Sequence, residues 1–219
     1  MPCENTFHAI QNASLASKAC DCTGIIGIAC AHHGCFVSNA LVDLFRGKQQ
    51  KNLNFVLLKA LKFISIDDDQ GLLLIYDITC QYSIYLAERI GHLLLPGLAI
   101  DQAINLFHVH AHKDDCFFQF ATTFIPGAAI IAGQIIKSLW LNLNGISPTV
   151  QTATLLHQAK MLSDPACDSN HKRMLSMSET LHSKFMDANT MVDQTDAYYL
   201  DIPATSIGRY VRYGKKKLK

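Results

Sequence analysis

Leu72-Leu73-Leu74-Ile75-Tyr76-Asp77-Ile78 is a continuous apolar run of strand length with one charge near its C-terminal end. Hydrophobicity without alternation suits a strand covered on both faces. Working outward, Asn52 to Ile64 carries apolar residues at 53, 56, 57, 60, 61 and 64, the three-four spacing of an amphipathic helix, before Asp67-Asp68-Asp69 breaks the pattern. On the other side, Cys80 to His92 reads as helical and stops at Leu95-Pro96-Gly97. Gly24 to Ala31 and Phe36 to Leu44 are β-capable runs joined by His32-His33-Gly34-Cys35, the pattern of a hairpin. Leu106 to His110 reads as a further short strand, and Ala132 to Leu143 and Ser178 to Asp187 as helices. The first 22 residues read as an entry helix or loop. Hairpin, helix, strand, helix, strand, helix is an α/β arrangement.

Composition narrows the function classes. The chain is 49% hydrophobic and 17% charged over 219 residues, enough to bury a core. Lys and Arg number 19 against 18 Asp and Glu, but six of the basic residues fall in 209–219, leaving 13 basic against 18 acidic elsewhere. A mildly acidic body is a poor non-specific nucleic-acid binder by itself. The most membrane-like stretch, Ile125 to Leu143, is interrupted by Gln134 and Lys137 and contains a proline and two glycines, so no membrane partner is expected. Eight cysteines without a visible secretory signal point to an intracellular chain in a reducing compartment, with thiols rather than a disulfide framework.

Three groups of residues could carry chemistry. Asp77, at the end of a buried strand, stands where open α/β sheets place ligands and metals, or else caps the helix that begins about Cys80. Cys30, His33 and Cys35 on the tight turn, with His108, His112 and Cys116 some 80 residues later, offer zinc-type ligands. If Leu106 to His110 is a strand, His108, His110 and His112 share a face. The alternative is a set of buried thiols and turn histidines, since no pair of CxxC knuckles is present. Arg209, Arg212, Lys215, Lys216 and Lys217, interleaved with Tyr210 and Tyr213, could contact phosphates or direct nuclear import, or form a solvated tail. No Walker loop, dinucleotide fingerprint or serine elbow occurs.

The order of five blocks carries a resemblance. CENTFHAI, TGIIGIACAHHGCFVSNALVDLFRGKQQKNLNF, LLLIYDITCQYSIYL, LFHVHAHKDDCFFQFATTFIPGAAIIAGQIIKSLWLNLNGISP and LSDPACDSNHKRML resemble the Kyakuja-Dileera-Zisupton (KDZ) transposases of fungal genomes, from about Cys3 to about Phe185. The resemblance implies a partial ribonuclease-H-like core over residues 1–186, a mixed sheet flanked by helices, and beyond it a disordered tail is expected over 187–219, basic at its end. It implies DNA as partner, Mg²⁺ or Mn²⁺ as cofactor, an Asp-Asp-Glu triad for DNA cleavage and strand transfer, and a nuclear location if the protein functions. Asp77 matches the second Asp. The first Asp and much of the first strand are expected upstream of Met1. The triad Glu position holds Gln134, and a second Glu position holds Lys137.

Two-metal phosphoryl transfer keeps two divalent ions about 4 Å apart on carboxylates that offset their repulsion. Magnesium demands hard oxygen ligands. One carboxylate with an amide and an ammonium in the other places does not meet that demand, unless Asp43, Asp114 or Asp115 compensates. The expectation is a catalytically inactive remnant. The alternatives are a DNA- or transposase-binding module, or a metal-dependent strand-transferase completed by other residues.

Overall fold

The computed structural model describes residues 22–45, 49–66, 71–128, 131 and 134–201. The chain divides into two compact units, Met1–Arg173 and Met174–Lys219. The second unit contains one long helix among its described residues, Met177–Asp201, which runs through the boundary expected at 186/187.

The first unit begins with the expected hairpin, β1 (Ile25–Ala29) antiparallel to β2 (Phe36–Asp43). Its turn closes through the Gly34 amide, which donates to the Cys30 carbonyl at 2.8 Å, and the Cys30 amide, which donates to the Cys35 carbonyl at 2.9 Å. Gly34 adopts φ +68°, a left-handed conformation that glycine reaches without a Cβ penalty. The register jumps from Gly27↔Leu41 to Ala29↔Phe36, and Asn39 in the bulged stretch takes φ 57°. Helix α1 (Gln50–Leu61) follows, burying Leu53, Val56, Leu57 and Ala60, the apolar face its spacing predicts.

β3 (Leu72–Ile75) pairs in parallel with β4 (Ile100–Ala103), Leu72 opposite Ile100. Between them the expected single helix is broken into α2 (Thr79–Tyr82) and α3 (Leu86–Ile90), each continued by a short 3₁₀ turn. The fold is therefore mixed α/β with small sheets. One difference concerns the sheet: the four described strands form one antiparallel and one parallel pair, and among them β3 has β4 as its strand neighbour.

A second correction concerns Leu106 to His110, expected as a strand. Leu106–Val109 is helix α4, and the strand lies earlier, at Ile100–Ala103. Asn105 is the reason. Its main chain is extended, and its side-chain oxygen accepts from the His108 amide at 3.0 Å, an N-cap that turns the chain into a helix. The chain continues through α5 (Asp114–Phe120), α6 (Gln134–Gly145), α7 (Ser147–Gln151) and α8 (Leu155–Leu175). No described helix is long and apolar enough to cross a membrane.

Three clusters of buried side chains hold the first unit together. Ala40, Val56, Leu57, Leu74 and Tyr82 join hairpin, α1, β3 and α2. Cys80, Ile104, Val109, Cys116 and Phe120 join α2 to α4 and α5. Phe36, Leu139, Leu143, Leu162 and Ala166 join β2 to α6 and α8. β1 and β3 also line one cavity of about 1790 Å³, with Leu57 of α1 and Ile135 and Trp140 of α6 among its walls.

Candidate functional site

Asp77 lies two residues beyond β3, in the turn that leads into α2. It is not a helix cap: the N-cap of α2 is Ile78, with no side-chain cap bond. Asp77 Oδ1 instead accepts from Asn105 Nδ2 at 3.1 Å, and Oδ2 lies 3.9 Å from His108 Nε2. Both carboxylate and imidazole are more than a third exposed, at 38% and 39%, so solvent screens their attraction. Parallel pairing of β3 with β4 is what brings Asp77 opposite Asn105: the Tyr76 amide donates to the Ala103 carbonyl, and the chain then reaches Asn105 two residues on.

Gln134 opens α6. One turn further, Lys137 places Nζ 3.2 Å from the centroid of the Phe107 ring, and Phe107 in turn makes an edge contact with His108 at 5.3 Å between centroids. An ammonium thus stands at the flank of the Asp77 group, on the helix where the resemblance expects carboxylates. Asp77 is the one acidic residue among the described residues lining the shared cavity, alongside His32, His108 and Lys137. Asp43 is engaged elsewhere, accepting from Gln158 Nε2 at 3.2 Å, while Asp114 and Asp115 are exposed in the first turn of α5. Among the described residues, this donor set does not fit a pair of Mg²⁺ or Mn²⁺ ions. One carboxylate already paired with an amide, beside an imidazole and an ammonium, supplies neither the ligands nor the negative charge.

The cysteine and histidine residues separate into two groups. On the hairpin, Cys30 Sγ approaches His33 Nδ1 at 3.3 Å. Burial pushes the Cys35 thiol up, the Arg173 guanidinium pulls it back down, and Cys30 again raises it. His108 faces Asp77, and His110 packs on the Phe117 ring at 5.3 Å. His112 and Cys116 meet a residue not expected from the sequence, Cys80. Their ligand atoms and the Cys80 sulfur all lie within 4.8 Å of one another, and this is the one such group of three or more among the described residues. Cys80 and Cys116 are buried, His112 is half-buried, and the three could hold a metal ion. Burial lowers the His112 pKa, while its hydrogen bond to the Asp77 main chain and the Asp77 charge act the other way.

Cys80 and Asn105 carry the faintest sequence signals of the group. Cys80 falls within an apolar helix pattern, where a thiol reads as core, and its one mark is its place three residues after Asp77. Asn105 is a single amide before LFHVH, and its signal is that asparagine is a favoured N-cap. Arg209, Arg212, Lys215, Lys216 and Lys217 lie outside the described residues.

A family model of the Kyakuja-Dileera-Zisupton transposase matches residues 1–190. The chain belongs to that family. The match spans every described element of the first unit, including Asp77, the metal-competent cluster and α6, so the KDZ resemblance carried by the ordered blocks holds over most of the chain. No curated protein and no solved structure matches this KDZ chain.

Proposed function

We propose that this chain is a catalytically inactive KDZ transposase core, derived from a metal-dependent DNA strand-transferase and lacking a working two-metal centre. The observation that carries the reading is Lys137 on α6, its ammonium against Phe107 beside His108 and Asp77. A cation at that flank repels divalent ions, and the loss of each charged ligand weakens ion binding by several kcal/mol on the scale of Coulomb terms in a partly shielded site.

The two strand pairs support a ribonuclease-H-like reading of the core. β1 and β3 each pair with one described strand and both border the same cavity. One further extended segment lying between them would unite the pairs into a five-stranded sheet in the order β2-β1-segment-β3-β4. Such a segment, in the family the carrier of the first Asp, would be apolar on both faces, since α1 covers one side and α6 the other.

The metal suited to this chain is a structural zinc-class ion on Cys80, His112 and Cys116, soft and borderline ligands that Mg²⁺ and Mn²⁺ do not select. DNA remains the proposed partner, in the nucleus. A second reading, a module that binds transposon ends or a full-length transposase, draws on the six basic residues in 209–219. An affinity for DNA that falls steeply with salt, and is lost on removing those residues, would favour it.

The test of the main reading is a nicking and strand-transfer assay on supercoiled plasmid with Mg²⁺ and with Mn²⁺. Wild type, Asp77→Ala and the double variant Gln134→Glu with Lys137→Glu are expected to give equal, background signals. The double variant restores charge on α6 but leaves the set of carboxylates incomplete. Cleavage by wild type that disappears in Asp77→Ala would overturn the proposal and make the protein an enzyme.

A further inference from the structure

The Cys80, His112 and Cys116 cluster borders the Asp77 site, and one side chain belongs to both. His112 turns Nδ1 toward Cys80 Sγ, 3.5 Å away, and its ring also hydrogen-bonds the main chain of Asp77. A metal-ligating imidazole characteristically makes such an outer hydrogen bond, to a carbonyl or carboxylate, which fixes its tautomer and ring plane. Here the outer partner is the backbone of the residue whose carboxylate meets Asn105 and His108. Cys80 reaches the same turn from the other direction, three residues along the chain.

Taking the zinc reading of the cluster as its starting point, we propose that a zinc-class ion on Cys80, His112 and Cys116 locks the turn after β3, so that metal occupancy sets the position of Asp77. The ion would join three segments: the first turn of α2, directly after the β3–α2 turn, through Cys80, the loop between α4 and α5 through His112, and the first turn of α5 through Cys116.

The geometry is close to what zinc needs. Zinc–sulfur bonds of about 2.3 Å and zinc–nitrogen bonds of about 2.1 Å, arranged tetrahedrally, set ligand atoms roughly 3.5–3.8 Å apart. The Cys80–His112 separation of 3.5 Å already meets this, and the largest spread allowed by the cluster, 4.8 Å, closes with about 1 Å of movement shared among side chains. Two thiolates and a neutral imidazole balance the charge of one divalent ion, which suits a site walled by Ile104, Val109 and Phe120. The three ligands leave a fourth coordination position for water.

The experiment uses the purified full-length chain with two independent readouts. Metal content and Co²⁺ titration, whose sulfur-to-cobalt absorption reports thiolate ligation, test the site. Amide hydrogen exchange over residues 76–80, before and after chelation, tests the coupling. One zinc per chain is expected, retained in Cys30→Ser and Cys35→Ser and lost in Cys80→Ser and Cys116→Ser. Exchange at Ile78, Thr79 and Cys80 should accelerate at least about tenfold on chelation and recover on adding Zn²⁺, with β1 amides unchanged. Cobalt titration of the wild-type chain needs no variant, so a Cys80→Ser chain that fails to fold does not hide the answer. Absence of bound metal, or a thiolate band that follows Cys30 and Cys35, overturns both the zinc reading and the coupling. Metal held by the three ligands with unchanged exchange at 76–80 keeps the zinc reading and overturns the coupling. Neither readout involves DNA, so both stand apart from the activity assay.

Discussion

Asn105 Nδ2 donates to Asp77 Oδ1 at 3.1 Å while Asn105 Oδ1 accepts from the His108 amide at 3.0 Å, so one buried amide ties the end of β3 to the start of α4. The same side chain thereby orients the carboxylate and caps the helix that presents His108.

Asn105→Ala should remove both roles, at a cost of about 1–3 kcal/mol in urea unfolding. Asn105→Asp keeps the cap acceptor but sets a second carboxylate beside Asp77. Like charges raise the pair's pKa in the folded state, so this variant should match wild type most closely in acid and lose stability as pH rises through about 4 to 6. A pH-independent deficit in Asn105→Asp would show that the two side chains do not meet in solution.

Asn170 makes a similar double contact on the other side of the unit. Its Oδ1 accepts from the Phe36 amide at 2.7 Å, and its Nδ2 donates to the Phe36 carbonyl at 2.9 Å, so a side chain of α8 pairs with the first residue of β2 as a neighbouring strand would. Asn170→Ala should cost about 2 kcal/mol, because both main-chain groups of Phe36 lose their partner. Lys172→Ala, two positions on, breaks the exposed pair with Asp168 and should change stability by less than about 0.5 kcal/mol. Equal effects from the two variants would argue that α8 does not dock on β2 through Asn170.

Gly34 and Gly145 should respond to alanine with opposite signs. At Gly34 a Cβ would stand 2.7 Å from the Ile135 side chain and 2.8 Å from an Arg173 guanidinium nitrogen, on a backbone with φ +68°. Gly34→Ala should therefore destabilise by about 1–2 kcal/mol, part backbone strain and part displacement of α6 from the hairpin. Gly145 ends α6, and a methyl group added there would meet nothing within 4 Å, so Gly145→Ala should stabilise by about 0.5–1 kcal/mol. Thermal melts of the two variants beside wild type give the comparison directly.

Gly34 also shows how far the sequence can be read. The hairpin is legible because His32-His33-Gly34-Cys35 is a local turn signal, and α1 and β3 are legible because their patterns are local. That the turn packs against Ile135 and Arg173, more than 100 residues away, has no local signature. β4 escapes a reading of the sequence because Ile100-Asp101-Gln102-Ala103 owes its strand form to pairing with β3, and the neighbouring LFHVH has the stronger β composition. Asp77 stands out as a lone charge ending an apolar run. Its partners do not, because Asn105 and His108 reach it only through the parallel register, and Cys80 joins His112 and Cys116 only once α2 packs on α5.

Tyr76, immediately before Asp77, gives an alkaline signature of the same packing. Burial pushes its phenol up to about 12, with the charges of Asp77 and Tyr82 adding to the shift. Its ring meets the Tyr82 ring edge-on at 5.8 Å, and burial raises Tyr82 as well, against the pull of Arg89. A group whose folded pKa lies above its unfolded value contributes stability that is complete below the unfolded value, near 10, and is lost as pH rises through about 12. A rise of that size corresponds to a loss of up to about 3 kcal/mol across the window. Urea midpoints at pH 8, 10 and 11.5 should therefore fall further in wild type than in Tyr76→Phe, since the phenylalanine variant has no proton to lose. Groups common to both proteins cancel in the difference. Parallel losses in the two would mean that Tyr76 ionises as an exposed tyrosine does, and that its ring does not pack against Tyr82 as the structure places it.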